Sequence, residues 1–163
     1  MDHRLPGRQR FSRAGQTGFV IEPATRDEIV PLRHAVLRTG YPVETALYPE
    51  DDRPETFHLV DREPDGDIIA CVTFFPELLG EKPAWRFRGM ATQPEQRNRG
   101  VGGRLLEAGI TAVAERGGTV VWCNGRSSAG GFYRRHGFHT VGDEFLSGPG
   151  HDIPHFVFVR ALA

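Results

Sequence analysis

Apolar residues recur three or four positions apart in two stretches of this chain, the spacing that places side chains on one face of a helix. In the first stretch these positions are Ile29, Leu32, Val36 and Leu37. In the second they are Leu105, Leu106, Ile110, Val113 and Ala114. Thr25 or Asp27 can cap the first helix, and Gly117-Gly118 ends the second. The pattern therefore predicts one helix around residues 29–37 and a longer one over 101–116.

Strands are predicted where short apolar runs end at turn residues. These runs cover 19–21, 56–61, 68–76, 85–92 and 119–123, and two further strands follow in the tail. The segment 40–54, which is rich in Pro, Glu and Asp, is predicted to be a loop with at most a short helix. Elements in this order favour an α/β (α+β) fold, in which helices flank a mixed, mostly antiparallel central sheet of about six to seven strands.

Length and composition favour one folded domain. The chain has 163 residues, of which 39% are hydrophobic, whereas residues 1–18 are polar and lack periodicity. We therefore expect a flexible tail over 1–18 and a single domain over 19–163. A net charge of −1 gives no strong field toward nucleic acid or a membrane, and no apolar run approaches the roughly 20 residues of a membrane-spanning helix. Two cysteines make neither a disulfide framework nor a metal site, so we expect a cytoplasmic protein without a bound metal.

The segment 97–104 is the strongest candidate for a ligand site. Its sequence, Arg-Asn-Arg-Gly-Val-Gly-Gly-Arg, follows a predicted strand and opens the long helix. The glycines allow a tight turn, and the free N–H groups at the start of the helix favour a phosphate group. A dinucleotide fingerprint would need glycine at Leu105, and a P-loop would need a lysine, but the chain's only lysine is the distant Lys82. The alternative is that the glycines only form a tight turn.

A second motif follows about twenty residues later along the chain. The short apolar strand 119–123 leads into a segment that contains Ala129, the aromatic pair Phe132-Tyr133 and then Gly137-Phe138. By itself this pattern describes a short amphipathic helix that ends at a glycine, with Phe138 as the hydrophobic contact beyond it. That description does not account for the order and separation of the two motifs.

Together the two motifs resemble the GCN5-related N-acetyltransferase (GNAT) superfamily. Arg97, Gly100 and Gly102 stand at the fixed positions of its acyl-CoA signature, Gln/Arg-x-x-Gly-x-Gly/Ala, and the second motif is similar to its next strand and helix. The Ile-Pro-His sequence at 153–155 resembles the ending of uncharacterised bacterial members. The resemblance spans about 19–162. It implies that the strands before and after the long helix run parallel and splay apart, with acyl-CoA in the V between them.

The reaction that the resemblance implies is direct transfer of an acetyl group from acetyl-CoA to the amine of a small molecule or peptide. A backbone N–H within 90–92 would stabilise the thioester oxygen, and Tyr133 would protonate the leaving thiolate. Alternatively, Tyr133 is a packing aromatic. Gly89, inside a strand, fits a bulge or a close backbone approach. The implied cofactor-binding residues are Met90, Ala91, Thr92, Arg97, Asn98, Arg99, Gly100, Val101, Gly102, Gly103, Arg104, Ser128, Phe132 and Tyr133.

The base that takes the proton of the amine is left open by the sequence. His58 and His155 are candidate catalytic bases because an imidazole titrates near neutrality. The carboxylate candidates are Glu44, Asp51 and Asp52. Asp52 followed by His58 resembles an arrangement in the same bacterial branch, whereas each histidine can equally be a structural strand residue. Arg126 stands where many members carry Asn, and it can bind a substrate carboxylate or pair with a nearby acidic residue. Asp52 and Arg126 are thus the candidate substrate-binding residues.

Two other functions stay open at this level. A catalytically silent acyl-CoA-binding or sensing module of the same fold has no need of an acid at Tyr133, so the residue favours the enzyme. A Rossmann-type nucleotide binder is disfavoured by Leu105. The expected partners are an amine acceptor but neither nucleic acid nor a membrane, and a homodimer is the commonest kind of oligomer. Cys123 is interpreted as a buried core thiol rather than a nucleophile.

Overall fold

The computed structural model of this chain describes residues 11–12 and 19–163, so residues 1–10 and 13–18 of the predicted tail lie outside the described residues. The strands are Phe11–Ser12 (β1), Val20–Ala24 (β2), Phe57–Arg62 (β3), Ile68–Pro76 (β4), Trp85–Thr92 (β5), Val120–Arg126 (β6), His139–Ser147 (β7) and Ile153–Ala161 (β8). The α-helices are Arg26–Leu37 (α1), Val101–Glu115 (α2) and Gly130–Arg135 (α3). Short 3₁₀ helices cover Val43–Ala46, Pro49–Asp52, Pro94–Gln96 and Ser127–Ala129.

The strands form one sheet in the order β1-β2-β3-β4-β5-β6-β8-β7. Neighbouring strands are antiparallel except β5 and β6, which are parallel. These two strands pair with each other only at Trp85–Val121 and Arg86–Trp122, near their starts. Beyond these residues β5 remains paired with β4 and β6 with β8, but β5 and β6 separate from each other. The predicted mixed, mostly antiparallel sheet with two splayed parallel strands is confirmed. Eight strands replace the expected six to seven because the two-residue β1 pairs with β2 inside a stretch that lacks any periodic pattern.

Two core clusters pack on opposite faces of this sheet. On one face, α2 buries Leu105 and Leu106 in a cluster that also holds Leu59 of β3. On the other face, Ile29 of α1 packs with Val60, the next residue of β3. Successive residues of a strand point to opposite faces, so α1 and α2 cover the two sides of the sheet. This arrangement leaves the splayed ends of β5 and β6 open between them.

The ends of the two long helices follow local chemistry. Thr25, one of the two predicted caps, accepts the N–H of Glu28, whose carboxylate in turn accepts the N–H of Thr25. This reciprocal capping box satisfies two N–H groups that the first turn would leave free. At the other helix, α2 ends at Glu115, and Gly117 adopts a φ of +81° just beyond it. In the part of the chain that the structure describes, no helix is both long and apolar enough to cross a bilayer.

Gly89 forms a β-bulge in the middle of β5, as its position inside a strand predicts. Its φ is +65°, and the register with β4 shifts between Cys71 and Thr73. A Cβ atom at this position would lie 2.8 Å from Nε of Arg33 and 2.9 Å from the ring of Tyr48. Only glycine accommodates both the left-handed backbone and this close approach. The bulge changes the direction of β5 shortly after its last residue that pairs with β6.

Candidate active site

A cavity of about 880 Å³ opens where β5 and β6 separate. Its walls come from the end of α1, the second half of β5, the start of α2, the end of β6, α3 and the start of β8. This volume lies within the range of sites that bind small molecules and cofactors. The splay of the parallel pair therefore creates a ligand-sized cavity between the two glycine-containing motifs.

The start of α2 forms one end of the cavity. Gly100 is the N-cap residue, with a φ of +75° and no side-chain hydrogen bond to the helix. The N–H groups of Val101, Gly102 and Gly103 have no acceptor within the helix, because the first such bond runs from Arg104 N to Gly100 O. All three residues line the cavity. This end presents free donors and a positive helix dipole, the arrangement that binds an anion.

Charge in the cavity has a single sign. The lining contains neither Asp, Glu nor Lys, and its two histidines are His136 and His155. Its six arginines are Arg38, Arg86, Arg88, Arg97, Arg126 and Arg135. Among the described residues, neither Arg38 nor Arg126 forms an ion pair, whereas Arg86 pairs with Glu77 at 2.8 Å and Arg88 with Glu50 at 3.2 Å. Anionic ligands are therefore favoured over the whole length of the cavity.

The structure brings most of the sequence-predicted cofactor residues together. Those that line the cavity are Met90, Ala91, Thr92, Arg97, Asn98, Gly100, Val101, Gly102, Gly103, Ser128, Phe132 and Tyr133. Arg99 and Arg104 do not line it; instead the Arg104 guanidinium donates to the Arg99 carbonyl at 3.1 Å. Nε of Arg104 is buried and has no hydrogen-bond partner. The segment 97–104 thus contributes its backbone N–H groups and the Arg97 side chain to the cavity, whereas the side chains of Arg99 and Arg104 do not line it.

Tyr133 reaches the floor of the cavity from α3. Its ring lies 4.5 Å from that of Phe158, and a Cβ atom on Gly125 would lie 2.5 Å from it, so the absence of a side chain at Gly125 makes room for the ring. The hydroxyl lies near the Cys123 thiol. Burial, followed by this contact, raises the pKa of Tyr133 above its ordinary value. The hydroxyl is therefore protonated throughout the neutral range and can donate a hydrogen bond.

Cys123 does not have the properties of a nucleophile. Its side chain lies in the core beneath Tyr133 and is almost completely buried. Burial raises the pKa of Cys123 to about 12, although the neighbouring Tyr133 hydroxyl opposes this rise. Since the thiolate is the reactive form, Cys123 is unreactive near neutral pH, as its apolar sequence context predicts.

His155 lines the cavity from β8, directly across from Arg126 of β6. Its Nδ1 lies 2.7 Å from the carbonyl oxygen of Ile153. A carbonyl only accepts, so Nδ1 carries the hydrogen and the neutral ring has its lone pair on Nε2. The ring also stacks on Phe145 with centroids 5.9 Å apart. His155 is therefore held in the tautomer that a general base requires.

His58, the other candidate base, does not line the cavity. It lies in β3 with Nδ1 at 2.7 Å from Oγ1 of Thr73, and only 7% of its surface is exposed. Burial lowers the pKa of His58, against an opposing effect of the Asp51 carboxylate. The structure thus places this histidine in a buried polar network, the structural interpretation that its sequence position also allowed.

The centre of that network is Arg33 of α1, which is fully buried. Its guanidinium binds Asp51 through two bonds of 2.7 and 3.0 Å, the Ala46 carbonyl at 2.8 Å and Oγ1 of Thr73 at 2.7 Å. Burial raises the pKa of Asp51, but the hydrogen bonds from Arg33 and the Tyr48 N–H outweigh it and lower the pKa overall. The network fixes the two 3₁₀ turns of the predicted loop 40–54 against α1.

This anchored loop supplies a wall of the cavity through Tyr48. The Arg88 guanidinium lies 3.7 Å above the Tyr48 ring, and that of Arg33 lies 4.0 Å from it. Asp52, a candidate substrate-binding residue, is instead exposed and pairs with Arg26 at 2.9 Å. Neither Asp52 nor the candidate bases Glu44 and Asp51 line the cavity. The loop contributes an aromatic surface to the site, not a carboxylate.

Sequence reasoning missed several residues that line the cavity. They are Arg38, Arg86, Arg88, Asn124, Arg135 and His136. A signal was present in β5, where Arg86 and Arg88 alternate with the buried Trp85 and Phe87. Charged residues at alternate positions of an otherwise apolar strand mark its accessible face. A separate group of carboxylates, Glu63, Asp65 and Asp67, has oxygens within 4.8 Å of one another but lies in the β3–β4 turn, outside the cavity lining.

Comparisons with known proteins agree with this architecture. Residues 53–140 match the family described as the acetyltransferase (GNAT) domain. The uncharacterised N-acetyltransferase YitI of Bacillus subtilis (strain 168) is 34% identical over 143 residues, which cover 83% of this chain and 91% of YitI.

Solved structures share the fold at lower identity. An acyl-CoA N-acyltransferase from Pseudomonas aeruginosa has a TM-score of 0.69 at 19% identity, covering 88% of this chain and 99% of that one. An aminoglycoside 6′-N-acetyltransferase complexed with coenzyme A has a TM-score of 0.67 at 16% identity, covering 83% and 89%. The family match and the relative from Bacillus subtilis together establish that this chain belongs to the GNAT acetyltransferases.

Proposed function

We propose that this protein is an acetyl-CoA-dependent N-acetyltransferase whose acceptor is a small molecule or peptide that carries an anionic group beside its amine. The observation that carries the proposal is the single cavity lined by the free N–H groups of α2, by Tyr133 and His155, and by six arginines. The first feature suits the phosphates of CoA, the second suits acyl transfer, and the third restricts the acceptor.

The α2 end of the cavity fits the pyrophosphate of an acyl-CoA. Gly100, Gly102 and Gly103 keep side chains away from the helix N-terminus, and the N–H groups there have no intrahelical acceptor. Arg97 adds a guanidinium that suits a phosphate oxygen. Binding of coenzyme A by the structurally similar aminoglycoside acetyltransferase supports the same ligand. Acetyl-CoA enters the reaction as a substrate and supplies the activated acetyl group.

Two side chains assist the proposed reaction, His155 by accepting a proton and Tyr133 by donating a hydrogen bond. Nε2 of His155 removes a proton from the acceptor ammonium, and the free amine forms a bond to the thioester carbon. An N–H of the segment 90–92 stabilises the negative oxygen of the tetrahedral intermediate. The carbon–sulfur bond then breaks, and the Tyr133 hydroxyl donates a hydrogen bond to the departing sulfur. The products are the N-acetyl acceptor and the free thiol of CoA.

The raised pKa of Tyr133 limits how far its proton moves. An ordinary thiol titrates near 8.5 and an ordinary phenol near 10, so complete transfer from an unshifted phenol to the thiolate would be uphill by about 2 kcal/mol. The raised pKa of Tyr133 makes this transfer still less favourable. The hydroxyl therefore acts mainly by hydrogen bonding as charge develops on sulfur. The proton that the thiolate finally keeps comes from the amine nitrogen or from water.

The acceptor end favours an amine that also bears a carboxylate or a similar anion. Arg126 lies across from His155, and neither it nor Arg38 has a carboxylate partner among the described residues. A guanidinium binds a carboxylate through two parallel hydrogen bonds. A polyamine or an aminoglycoside would instead bring several ammonium groups into a cavity that has no acidic side chain in its lining.

The test is release of free CoA thiol from acetyl-CoA with matched pairs of amines. Each pair consists of an amino acid and its carboxamide, which differ by one negative charge, and a polyamine completes the set. We expect the acids to give a kcat/KM at least tenfold above their amides, because one charged hydrogen bond contributes roughly 1.5–3 kcal/mol. A polyamine as the best acceptor would overturn the anionic acceptor but leave acetyl transfer standing.

The Tyr133→Phe variant separates the enzyme from a silent acyl-CoA-binding module. We expect kcat to fall by roughly 10- to 100-fold, the size of one hydrogen bond to a charged sulfur, while the Kd for acetyl-CoA stays within twofold. Cys123→Ala is the matched control, since it alters the buried cluster around Tyr133 but leaves the hydroxyl in place. If the native chain bound acetyl-CoA but released no thiol with any amine, the binding module would be the better description.

A further inference from the structure

His136 directly follows α3 and lies at the end of the cavity that the start of α2 forms, called here the phosphate end. A Cβ atom built on Gly103 would lie 2.7 Å from Nε2 of His136 and 2.9 Å from its Cε1. The edge of the imidazole that carries Nε2 is therefore packed against the first turn of α2. Glycine at position 103 is what allows this approach, so the first turn of α2 and the histidine are fitted to each other.

The other edge of the ring is tied down by a carboxylate. Nδ1 of His136 lies 3.0 Å from Oε1 of Glu107, one turn further along α2. Arg160 of β8 donates to the same oxygen at 2.8 Å and to the His136 carbonyl at 3.0 Å. The ring of Phe132 packs 4.8 Å from the imidazole. Three elements thus hold the imidazole in one orientation.

This orientation determines which nitrogen is available to a ligand. A carboxylate only accepts, so Nδ1 donates its hydrogen to Glu107 and Nε2 is the free nitrogen. No described residue forms a hydrogen bond with Nε2. Glu107 itself does not line the cavity, whereas His136 does, so the imidazole stands between the carboxylate and the ligand space. When protonated, the ring directs Nε2–H beside the free N–H groups of α2.

We propose that His136 is a cofactor-binding residue whose protonated ring donates from Nε2 to a phosphate oxygen of acyl-CoA, and that Glu107 is the positioning residue that orients it. The proposal rests on the proposed function, because it assigns the phosphates of acyl-CoA to this end of the cavity. Both the pyrophosphate and the 3′-phosphate of CoA offer the same chemistry. The two are distinguished by comparing CoA with 3′-dephospho-CoA.

The experiment is calorimetric titration of the native chain and His136→Asn with CoA and with 3′-dephospho-CoA. We expect the variant to bind CoA on the order of tenfold more weakly, the size of one charged hydrogen bond. An equal loss with both ligands assigns the contact to the pyrophosphate, and a loss with CoA alone assigns it to the 3′-phosphate. His139→Asn, an exposed histidine three positions away and outside the cavity lining, is the matched control.

Glu107→Gln is a second variant, which retains the His136 side chain but removes the carboxylate that orients it. It should weaken CoA binding about threefold in the native background and have no effect once His136 is replaced, since its role acts through that ring. A purely structural Glu107 would weaken binding equally in both backgrounds. Equal CoA affinity of the native chain and His136→Asn, or an equal loss in His139→Asn, would overturn the proposal. A native chain that binds no CoA at all would overturn the proposed function first.

Discussion

The two ends of the cavity are built in different ways. At the phosphate end, most of the donors come from one short segment, 97–103, and are backbone N–H groups, while His136 is proposed to add one side-chain donor. At the acceptor end, the charged groups come from α1, β5 and β6, far apart in sequence, and are side chains. Backbone donors depend on the local turn, whereas the arginine side chains depend on tertiary contacts such as the Arg33 network. The first end suits a constant ligand, and the second can change its specificity by single substitutions.

The largest expected effect is loss of the buried network at the acceptor end. Arg33→Leu leaves the Asp51 carboxylate without its partner in the protein interior, which costs about 3–5 kcal/mol in the free energy of unfolding. For a chain of this size, each kcal/mol lowers the melting temperature by roughly 2–4 °C. Thermal and denaturant unfolding measure the loss. CoA affinity, measured well below the midpoint, should change less than threefold because the α2 end does not use this network.

The control replaces both partners. Arg33→Leu combined with Asp51→Leu removes the unpaired charge and should recover most of the lost stability, since apolar residues can replace a buried ion pair. A single variant that lost less than 1 kcal/mol would show that the pair is not a main support of loop 40–54. Equal losses of CoA and acceptor binding would show that the two ends are not independent.

Short-range sequence patterns were sufficient to predict the elements that form the α2 end of the cavity. The strand Trp85–Thr92 and the helix beginning at Val101 were predicted at the same residues that the structure shows. Their bounds follow from short-range patterns, and the glycines between them lie in one contiguous segment. By contrast, His58 and His155 had the same sequence signal, a histidine in a strand. Only the packing of the sheet shows that one lies in a buried network and the other in the cavity lining.

A substitution at the phosphate end can abolish tight CoA binding without lowering the stability of the fold. Gly102 has an ordinary backbone conformation, and a Cβ atom there would lie 3.5 Å from Oγ1 of Thr92, a normal contact. Gly102→Asp places a carboxylate at the helix N-terminus, which stabilises a helix by about 0.3–1 kcal/mol but repels a phosphate. We expect roughly a 100-fold weaker Kd for CoA with an unchanged or higher melting temperature, since like charges meet at a partly buried site.

The uncharged Gly102→Ala variant separates charge from bulk in this comparison. A tenfold or smaller loss of CoA affinity in Gly102→Ala attributes the rest of the effect to the carboxylate. Tight CoA binding by Gly102→Asp would contradict the placement of the phosphates at the start of α2.

A smaller effect is expected from a single arginine at the acceptor end. Arg126→Gln removes the guanidinium across from His155 and keeps a polar side chain of moderate length. KM for an anionic acceptor should rise about tenfold, the size of one charged hydrogen bond, while KM for acetyl-CoA is unchanged. The carboxamide of the same acceptor serves as the control, because its KM should not respond. An equal rise for acid and carboxamide would assign Arg126 a structural role.

The smallest effect is a dependence of stability on pH that comes from the acceptor-end network. Burial lowers the pKa of His58 in the folded chain, whereas the unfolded imidazole titrates near its ordinary value of 6.5. Below pH 6.5 the unfolded chain therefore binds more protons, so the free energy of unfolding falls as the pH drops and levels off below the folded pKa. Each unit by which the pKa is lowered contributes about 1.4 kcal/mol. Asp51, whose pKa is also lowered, adds its own loss only below about pH 3.8.

Urea unfolding between pH 7.5 and 5 measures this dependence, with His58→Gln as the variant and the exposed His139→Gln as its matched control. His58→Gln should flatten the curve, because no imidazole then resists protonation inside the network. His139→Gln should retain the native slope. If His58→Gln and the native chain lost stability in parallel, the acid sensitivity would come from elsewhere in the molecule. KM for the acceptor and Kd for CoA, measured over the same pH range, then compare the two ends. A rise in acceptor KM without a change in CoA affinity would show that weakening the network displaces Tyr48 but not the start of α2.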